Sequence, residues 1–566
     1  MKVLIIGGVA GGATAAARLR RLDEKAEIIV FEKSGFVSYA NCGLPYYIGG
    51  VIRNKNSLTL KTPESFKERF NIDVRVNSEV LSIDSASKTL TVKDLISGRE
   101  YMEGYDKLIL SPGAKAVRPD LPGIDSDKIF TLRTVEDTYK IREYIEERRP
   151  SSAVVVGGGF IGLEMSENLM HEGIQTTLLQ RSAQVMPPLD YDMACQIHAY
   201  LRSQGVDLRL NSPIAGYEDS GDSLDVILKD GSTVQTELVI LAIGVVPDTH
   251  LAKDAGLKFG VKDSIVVNEH LETSVRDIYA VGDGIQVNHF VSGSQTVIPL
   301  AGPANKQGRI AADNICGRRS TYKGSQGSSI IKLFDMTCAS TGLNEKAAEA
   351  AGVKYDKVIN FSPSHAGYYP GATDMTIKAL FDPADGKILG AQIVGFTGVD
   401  KRIDVLATAI RGGMTAYDLA ELELAYAPPF SSAKDPVNMV GFMIENILEG
   451  RVSQYHWHDI PKLPCDGRVA FLDVRGEDEY AEGAIENSIN IPLDSLRDNL
   501  HRLEKDKPVY INCYSGLRSY VACRLLAEEG FECYNFSGGY GFYEYILYDK
   551  AFDDSAKHGC GVKIEN

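Results

Sequence analysis

Two cysteines of this chain stand in settings where a thiol can carry out redox or sulfur-transfer chemistry. Cys42 follows Asn41 in a short polar segment ahead of a Gly-Leu-Pro turn. Cys513 follows an apolar strand pattern at residues 509–512 and precedes a six-residue loop that leads into a helix. A thiol at the start of such a loop lies among converging backbone N–H groups, which favours its ionised form. The chain therefore carries two separate candidate sulfur nucleophiles.

The elements that position Cys42 begin with a Gly-rich turn at the N-terminus. A buried-strand pattern at residues 3–6, a helical run from about 13 to 22 and a strand pattern at 27–31 predict a βαβ unit. Its glycines would let backbone N–H groups approach a pyrophosphate, and Glu32 would bond a ribose. The glycines are Gly7, Gly8, Gly11 and Gly12. Because Val9 replaces the usual middle glycine, a plain strand–turn–helix is the alternative.

A second Gly-rich turn matches the dinucleotide pattern G-x-G-x-x-G in full. Its glycines are Gly157, Gly159 and Gly162, between strand patterns at residues 153–156 and 176–179. A chain that holds two dinucleotides can pass a hydride from nicotinamide to flavin. The second strand leads into Gln180 and Arg181, and arginine matches a 2′-phosphate, so NADPH is expected to be accepted and preferred over NADH. A solvated surface charge is the alternative for Arg181.

Bulk properties exclude several classes of protein. A chain of 566 residues with 44% hydrophobic content is too long for one core and has the composition of a globular protein. The net charge of -16 disfavours a nucleic-acid partner. No apolar run is long enough to cross a bilayer. The nine cysteines are scattered without a CxxC pair, a spacing that fits neither a zinc site nor a secreted disulfide framework. A protein of the reducing cytoplasm is therefore expected.

From residue 1 to about 450 the chain resembles the flavoprotein disulfide reductases that hold two dinucleotides. Besides the two Gly-rich turns, the resemblance is carried by residues 110–114, 241–245 and 278–283. The first two segments resemble the strand-to-linker crossings of that family, and the third resembles its second flavin motif. The resemblance implies that Asp283 bonds the ribityl chain of FAD and that Ala301 belongs to the same flavin site.

The segment around Cys42 indicates one branch of that family. Relatives that exchange disulfides internally carry a cysteine where this chain has Ser38. A lone thiol takes its partner from outside, as a mixed disulfide with a small thiol or as a sulfenic acid. The segment resembles the coenzyme A–disulfide reductases, in which this cysteine rests as a disulfide with coenzyme A. Peroxide-reducing relatives carry a histidine at the position of Ala10. Flavin and the helix start at Asn41 are expected to keep the Cys42 thiolate ionised.

The same resemblance implies further contributors to the substrate site. Tyr368 and Tyr426 would reach the partner's active site in a homodimer and donate hydrogen bonds to sulfur, although Tyr369 could take the place of Tyr368. Interface packing is the alternative for these tyrosines. Basic and polar side chains would hold coenzyme A, with a solvated helix surface as the alternative. They are Arg18, Arg20, Arg21, Ser38, Asn41 and Lys306.

From about residue 467 onward the chain resembles a rhodanese domain. The resemblance is carried by residues 472–475, 483–492 and 513–519. It implies that Cys513 accepts sulfur as a persulfide, with Arg518 closing its loop. A docking role without chemistry is the alternative.

The expected fold class is α/β, with two nested Rossmann-like dinucleotide-binding domains, an α+β dimerisation domain and a C-terminal α/β rhodanese domain. The expected boundaries are 1–112 and 245–321 for FAD binding, 113–244 for NAD(P)H binding, 322–450 for dimerisation, 451–466 for a linker and 467–566 for the rhodanese domain.

Together these features predict an FAD enzyme that uses NAD(P)H to reduce coenzyme A disulfide, coenzyme A persulfide or polysulfide. The reaction would run through a Cys42–S–S–CoA intermediate, and Cys513 would transfer persulfide sulfur. Two alternatives stay open. One is an NAD(P)H oxidase or peroxidase that works through a Cys42 sulfenic acid. The other is a redox sensor or persulfide carrier without sustained turnover.

Overall fold

The computed structural model describes residues 1–552, so the last residues of the predicted rhodanese domain, 553–566, lie outside the described part. The chain divides into two compact units. The first comprises Met1–Ala183 and Val206–Gly327, and the second comprises Gln184–Gly205 and the chain from Ser328 onward. Within residues 1–552, no helix has both the length and the apolar composition needed to cross a bilayer.

The first unit is built around a parallel sheet whose central strand begins the chain. Its strands, in spatial order, are Ile278–Ala280, Lys107–Leu110, Lys2–Ile6, Glu27–Phe31 and Asp73–Arg75. The strands are continuous apolar runs because both faces of a parallel sheet are covered. Ile6 is in register with Phe31 on one side and with Leu110 on the other. The carboxyl ends of these strands therefore meet at one edge, where the first Gly-rich turn begins.

Two helices cross closely over this sheet. The first runs from Ala10 to Leu22, and the second from Ala301 to Ile315. A Cβ on Gly308 would lie 2.4 Å from the Gly11 carbonyl oxygen, so glycine is required where the backbones touch. The first helix begins earlier than the run from about residue 13 that the sequence predicts. Its contact with the second helix stabilises a first turn that contains two glycines.

A second parallel sheet in the same unit repeats this layout. Its strands, in spatial order, are Asp207–Arg209, Gln175–Leu179, Ser152–Val156, Leu238–Leu241 and Ile129–Thr131. The helix Phe160–His171 follows its central strand. Because Ile278–Ala280 returns to the first sheet, the second nucleotide fold is inserted into the first, as predicted.

Antiparallel pieces and short helices complete the first unit. The small sheets are Ser78–Asp84 with Thr89–Asp94 and Glu100–Gly104, Ile214–Ser220 with Ser223–Leu228 and Thr233–Thr236, Ala114–Ala116 with Val245–Pro247, and Val287–Asn288 with Gln295–Thr296. The α-helices are Leu44–Ile48, Pro63–Phe70, Val135–Arg148 and His250–Asp254. The 3₁₀ helices are Asn41–Gly43, Lys55–Leu58, Val261–Asp263 and Gly282–Gly284.

The second unit contains an antiparallel sheet covered by helices. Its strands, in spatial order, are Ser329–Leu333, Met336–Gly342, Ile388–Gly395, Asp374–Phe381 and Asp356–Pro363. The helices are Tyr191–Ser203, Glu345–Ala350, Val399–Gly412, Ala416–Glu421 and Pro436–Leu448. Segregated strands and helices of this kind form the predicted α+β domain.

The last sheet of the described chain is parallel. Its strands, in spatial order, are Ser453–Tyr455, Cys533–Phe536, Val509–Asn512, Ala470–Asp473 and Ser488–Asn490. Its helical segments are Ile460–Lys462, Glu477–Ala481, Leu493–Leu496, Arg497–Arg502, Leu517–Glu528 and Gly539–Ala551. The edge strand Ser453–Tyr455 comes from the segment expected to be a linker. This sheet and its helices form the predicted C-terminal α/β domain.

Candidate active sites

The first Gly-rich turn forms a narrow cradle at the edge of the first sheet. Gly7 has φ +94°, and a Cβ on Gly12 would lie 1.9 Å from the Gly7 carbonyl oxygen, so larger residues are excluded at both positions. Gly8 N donates to Glu32 Oε2 at 2.8 Å, and Ser34 N donates to Glu32 Oε1 at 3.0 Å. Burial raises the pKa of Glu32. The turn and this carboxylate fit the pyrophosphate and ribose of a dinucleotide.

The predicted flavin residues Asp283 and Ala301 follow the same sheet. Asp283 lies in the 3₁₀ helix Gly282–Gly284, after the strand Ile278–Ala280, and Arg133 Nη2 donates to its Oδ2 at 2.7 Å. Ala301 is the first residue of the helix Ala301–Ile315. Asp283 keeps further lone pairs for a polyol chain, because a carboxylate accepts more than one hydrogen bond.

The second Gly-rich turn repeats the cradle on the second sheet. Gly157 has φ +105°, and a Cβ on Gly162 would lie 1.8 Å from the Gly157 carbonyl oxygen. A Cβ on Gly159 would meet no atom within 4 Å, so this glycine leaves open space for a phosphate. Gly158 N donates to Gln180 Oε1 at 3.1 Å, and Arg181 beside it is exposed. The turn fits a second dinucleotide, and Arg181 follows the strand Gln175–Leu179 that leads away from it.

Cys42 is held in a segment that is tied to the first Gly-rich turn. Ser38 adopts φ +49°, and its backbone N–H donates to Gly8 O at 2.9 Å. Leu60 N donates to Ser38 O at 3.0 Å, so both sides of this strained residue are bonded. Cys42 follows in the 3₁₀ helix Asn41–Gly43 and stays exposed to solvent. A dinucleotide in the first cradle and a substrate from solvent could therefore both approach this thiol.

The pKa of the Cys42 thiol is shifted against the direction expected from sequence. Partial burial raises it, and the Glu164 carboxylate raises it further. Arg133 opposes this shift and Asp283 adds to it. The expected helix start consists of the 3₁₀ turn Asn41–Gly43 and the five-residue helix Leu44–Ile48, which together supply less than the dipole of a full-length helix. The protein groups thus favour the neutral thiol, and the thiolate needs stabilisation from a bound group.

Glu164 is a site residue that the sequence did not single out. It lies on the helix Phe160–His171 and accepts a hydrogen bond from Tyr46 Oη at 3.3 Å. Burial raises the pKa of Glu164 to about 7. Its only signal in the sequence is its place two residues after Gly162. A carboxyl that titrates near neutral pH within electrostatic reach of Cys42 can exchange a proton with the site.

Replacing Glu164 by Gln is expected to lower the pKa of the Cys42 thiol by about one pH unit, because a nearby negative charge disfavours the thiolate. The difference from wild type should appear above about pH 7, where wild-type Glu164 is ionised, and disappear at lower pH, where it is protonated. The measurement is the rate of Cys42 alkylation by iodoacetamide as a function of pH, read by peptide mass spectrometry. Glu143→Gln, at an exposed carboxylate on another helix, should keep the wild-type profile. An unchanged midpoint in Glu164→Gln would contradict the assignment.

The basic residues predicted to hold coenzyme A differ in their availability. Arg20 is buried, and its guanidinium donates to the carbonyl oxygens of Phe70 at 2.7 Å and Asn71 at 2.9 Å. Because its guanidinium is buried and bonded to backbone carbonyls, Arg20 has a structural role and does not contact coenzyme A. Arg18 pairs with Asp313 at 2.8 Å, whereas Arg21 and Lys306 are exposed. Ser38 and Asn41 flank Cys42 in its loop.

The structure distinguishes the two adjacent tyrosines of the second unit. The hydroxyls of Tyr368 and Tyr426 are 3.1 Å apart, and the two residues are 76% and 47% exposed. Tyr369 instead packs the edge of its ring against His365, with ring centroids 5.7 Å apart. Of the two candidates, Tyr368 is therefore the one that forms a hydroxyl pair with Tyr426.

Cys513 is held by the loop that the sequence predicted. It follows the strand Val509–Asn512, and its side chain is fully buried. Gly516 N donates to Cys513 Sγ at 3.1 Å, and Ser519 Oγ donates to it at 3.3 Å. Gly516 adopts φ +91°, which lets the backbone turn its N–H toward the sulfur. These donors would stabilise a thiolate or a persulfide anion.

The immediate partner of Arg518, which is predicted to close the Cys513 loop, is a carboxylate. Its guanidinium makes a bidentate pair with Glu479, with distances of 2.6 and 2.7 Å, and this pair raises the pKa of Arg518. The same pair lowers the pKa of Glu479 to about 2. Cys513 is within electrostatic reach of Arg518, but the direct hydrogen bonds go to the carboxylate.

Comparison with known proteins matches three families along the chain. The profile described as pyridine nucleotide-disulphide oxidoreductase matches residues 1–308, its dimerisation domain matches 328–436, and the rhodanese-like domain matches 459–543. A coenzyme A disulfide reductase of Staphylococcus haemolyticus is 39% identical over 447 residues, which are 79% of this chain and 100% of that protein.

Two solved structures match nearly the whole chain. A reduced Bacillus anthracis protein named CoADR-RHD is 50% identical, with a TM-score of 0.95, and the match covers 97% of this chain and 98% of that one. An NAD-dependent persulfide reductase from A. fulgidus is 37% identical, with a TM-score of 0.90, and the match covers 96% of this chain and 100% of that one. The predicted order of domains is thus confirmed.

Proposed function

The chain belongs to the pyridine nucleotide-disulphide oxidoreductase family, and we propose that it is an FAD-dependent enzyme that uses NAD(P)H to reduce coenzyme A disulfide, coenzyme A persulfide or polysulfide. The observation that carries this proposal is the exposed thiol of Cys42, in a segment that is tied through Ser38 to the first nucleotide cradle. The test is NAD(P)H-dependent release of coenzyme A thiol from its disulfide, which must depend on Cys42.

The chain's own part in the reaction is thiol–disulfide exchange at Cys42. Its thiolate attacks one sulfur of the substrate disulfide, the S–S bond breaks, and one coenzyme A thiolate leaves. Cys42–S–S–CoA remains, and two electrons return it to two thiolates. When bound, FAD supplies these electrons from NAD(P)H. Glu164 holds or releases a proton near the sulfur, because its pKa is about 7.

Cys513 gives the enzyme its second activity, the transfer of persulfide sulfur. The support for this role is the pair of donors, Gly516 N–H and Ser519 O–H, aimed at its sulfur. Reduction of coenzyme A disulfide alone does not require such a loop. The oxidase or peroxidase alternative is not better supported, because Ala10 stands where peroxide-reducing relatives carry histidine.

Arg181 is proposed to select NADPH through its 2′-phosphate. Replacing Arg181 by Glu is expected to lower kcat/KM for NADPH by roughly 10- to 100-fold, because a charge-assisted contact becomes a repulsion. The value for NADH should change by less than about threefold, since its ribose carries no phosphate. Steady-state kinetics with both cofactors checks this, with Arg181→Lys as the charge-conserving control. Equal losses for NADH and NADPH would contradict the proposal.

We also propose a homodimer, further contacts to coenzyme A and a cytoplasmic location. The matched dimerisation domain and the exposed hydroxyl pair of Tyr368 and Tyr426 support a homodimer in which these tyrosines reach the partner's site. Arg18, Arg21 and Lys306 are proposed to contact coenzyme A. The predicted domain boundaries also remain proposals. A cytoplasmic location is proposed because the described cysteines, through Cys533, form no disulfide.

A further inference from the structure

A cavity of about 600 Å³ lies beside the loop that holds Cys513, entirely within the second unit. Its lining includes residues of the helix Pro436–Leu448 and the loop residues 514–517 together with Tyr520. The last residues of the strand Asp356–Pro363 also line it. This volume is typical of a small-molecule site.

The helical wall is apolar on the face that lines the cavity. Its apolar lining residues recur at helical spacing and are Met439, Phe442, Met443 and Ile447, and Asn446 is the polar member of this face. The opposite face of the same helix supplies Val437, Val440 and Ile444, all fully buried. A helix that is apolar on both faces has to cover both from water. An apolar ligand in the cavity would cover the face of this helix that lines the cavity and so shield it from water.

The walls of the cavity are fastened to each other, so its shape exists before any ligand enters. Ile359 N donates to Ser537 Oγ at 3.2 Å in a buried contact. The rings of Phe361 and Tyr514 meet edge to face, with centroids 5.7 Å apart. Gln454 Nε2 donates to Lys357 O at 2.7 Å. The cavity is thus a formed site and not a loose gap.

The charges around the cavity do not favour a small dianion. Among its described lining residues, Lys434 and Asp374 carry charges of opposite sign. Two arginines of this domain are already paired, Arg518 with Glu479 and the buried Arg475 with Asp473 at 2.7 Å. The described lining residues include no arginine, so a dianion such as thiosulfate would lose its hydration against Met and Phe side chains without gaining a guanidinium partner from them.

We propose that this cavity binds the organic group of a small persulfide with an uncharged, apolar body, and that this persulfide is the sulfur donor for Cys513. The inference rests on the proposed sulfur-transfer role of Cys513 and names its donor class. Residues 514–517 belong both to the cavity wall and to the loop around the sulfur, so a bound donor lies directly against that loop.

The transfer balances without any further reactant. The Cys513 thiolate attacks the outer sulfur of R–S–SH, the S–S bond of the donor breaks, and R–S⁻ leaves with the electron pair. Cys513–S–SH forms, so one S–S bond is exchanged for another with no net oxidation. Because Cys513 is fully buried, the outer sulfur has to enter the loop while the organic group stays in the cavity.

The test compares two donors, n-butyl persulfide and thiosulfate, on the full-length protein. The readout is the initial rate at which the peptide that contains Cys513 gains one sulfur, measured by mass spectrometry after alkylation. At equal concentration, wild-type protein should be loaded at least about tenfold faster by the butyl persulfide, because its chain buries apolar surface. Met443→Glu should lower this rate ratio about tenfold, since it places a charge in the apolar wall. Met443→Leu should keep the ratio within about twofold.

Each outcome decides one claim. Equal loading by both donors in wild type, or an unchanged ratio in folded Met443→Glu, would overturn the cavity proposal. If Met443→Glu does not fold, Met439→Gln, on the same face, should lower the ratio, and failure to do so overturns the proposal equally. If neither donor places sulfur on wild-type Cys513, the sulfur-transfer part of the proposed function fails instead. Reduction of coenzyme A disulfide through Cys42 is measured separately, and its rate tests neither the cavity proposal nor sulfur transfer to Cys513.

Discussion

Replacing Cys42 by serine is expected to lower NAD(P)H-dependent reduction of coenzyme A disulfide by about a thousandfold or more. The exchange step requires a thiolate that forms and then breaks an S–S bond, and a serine oxygen can do neither near neutral pH. Cys42 is exposed, and Ser38, at the position where relatives that exchange disulfides internally carry the first cysteine of the pair, cannot take over. No other side chain in this loop can substitute for the lost sulfur.

The control for this variant is Cys465→Ser, at another exposed cysteine, which should keep wild-type kinetics. Reduction of the flavin by NADPH, followed by absorbance, should persist in Cys42→Ser because both Gly-rich turns are untouched. Intact mass after exposure to coenzyme A disulfide should show one added coenzyme A on wild type and none on the variant. Reduction of coenzyme A disulfide by Cys42→Ser at the wild-type rate would contradict the proposed function.

Replacing Cys513 by serine is expected to abolish sulfur transfer, with a loss of about a hundredfold or more in the rate at which the enzyme takes sulfur from a persulfide donor. The loop is built around this sulfur, because Gly516 N and Ser519 Oγ both donate to it. A serine hydroxyl can accept the same hydrogen bonds, so the variant should fold while losing the nucleophile. The measurement is sulfur gained by the rhodanese-domain peptide after incubation with a persulfide.

Two comparisons make this result interpretable. Cys465→Ser should load sulfur on Cys513 at the wild-type rate. In Cys513→Ser, reduction of coenzyme A disulfide should keep most of its rate, because that exchange uses Cys42. A parallel loss of both activities would show that the two cysteines act in one obligatory sequence. Undiminished persulfide turnover in Cys513→Ser would rule out a role for the C-terminal loop in the chemistry.

The local sequence was sufficient to predict the two nucleotide-binding turns from their glycines. A nucleotide-binding turn demands positive φ and close backbone contacts, and only glycine meets those demands. Gly7 and Gly157 indeed adopt φ +94° and +105°, and Gly12 and Gly162 lie where a Cβ would collide with backbone. The parallel strands were equally predictable, because strands covered on both faces must be continuous apolar runs.

The partners of charged residues could not be predicted from the local sequence. The arginine cluster on the first helix predicted anion binding, yet Arg20 caps the carbonyls of Phe70 and Asn71, far along the chain. The resemblance implies that Arg518 closes the Cys513 loop, and the structure adds an ion pair with Glu479, 39 residues earlier in the chain. A charge takes whichever partner the fold brings near, and the local pattern does not name that partner.

The amino-acid sequence by itself determined the order of the domains, the two nucleotide cradles and the two reactive sulfurs, because these follow from backbone conformation and residue type over a few neighbouring positions. Only the tertiary structure decided that Glu164 lies near Cys42 and raises the pKa of its thiol, that Tyr368 pairs with Tyr426, and that an apolar cavity faces the loop of Cys513. Each of these depends on elements distant in sequence. Their meeting is set by sheet order and helix packing, which no short stretch of residues encodes.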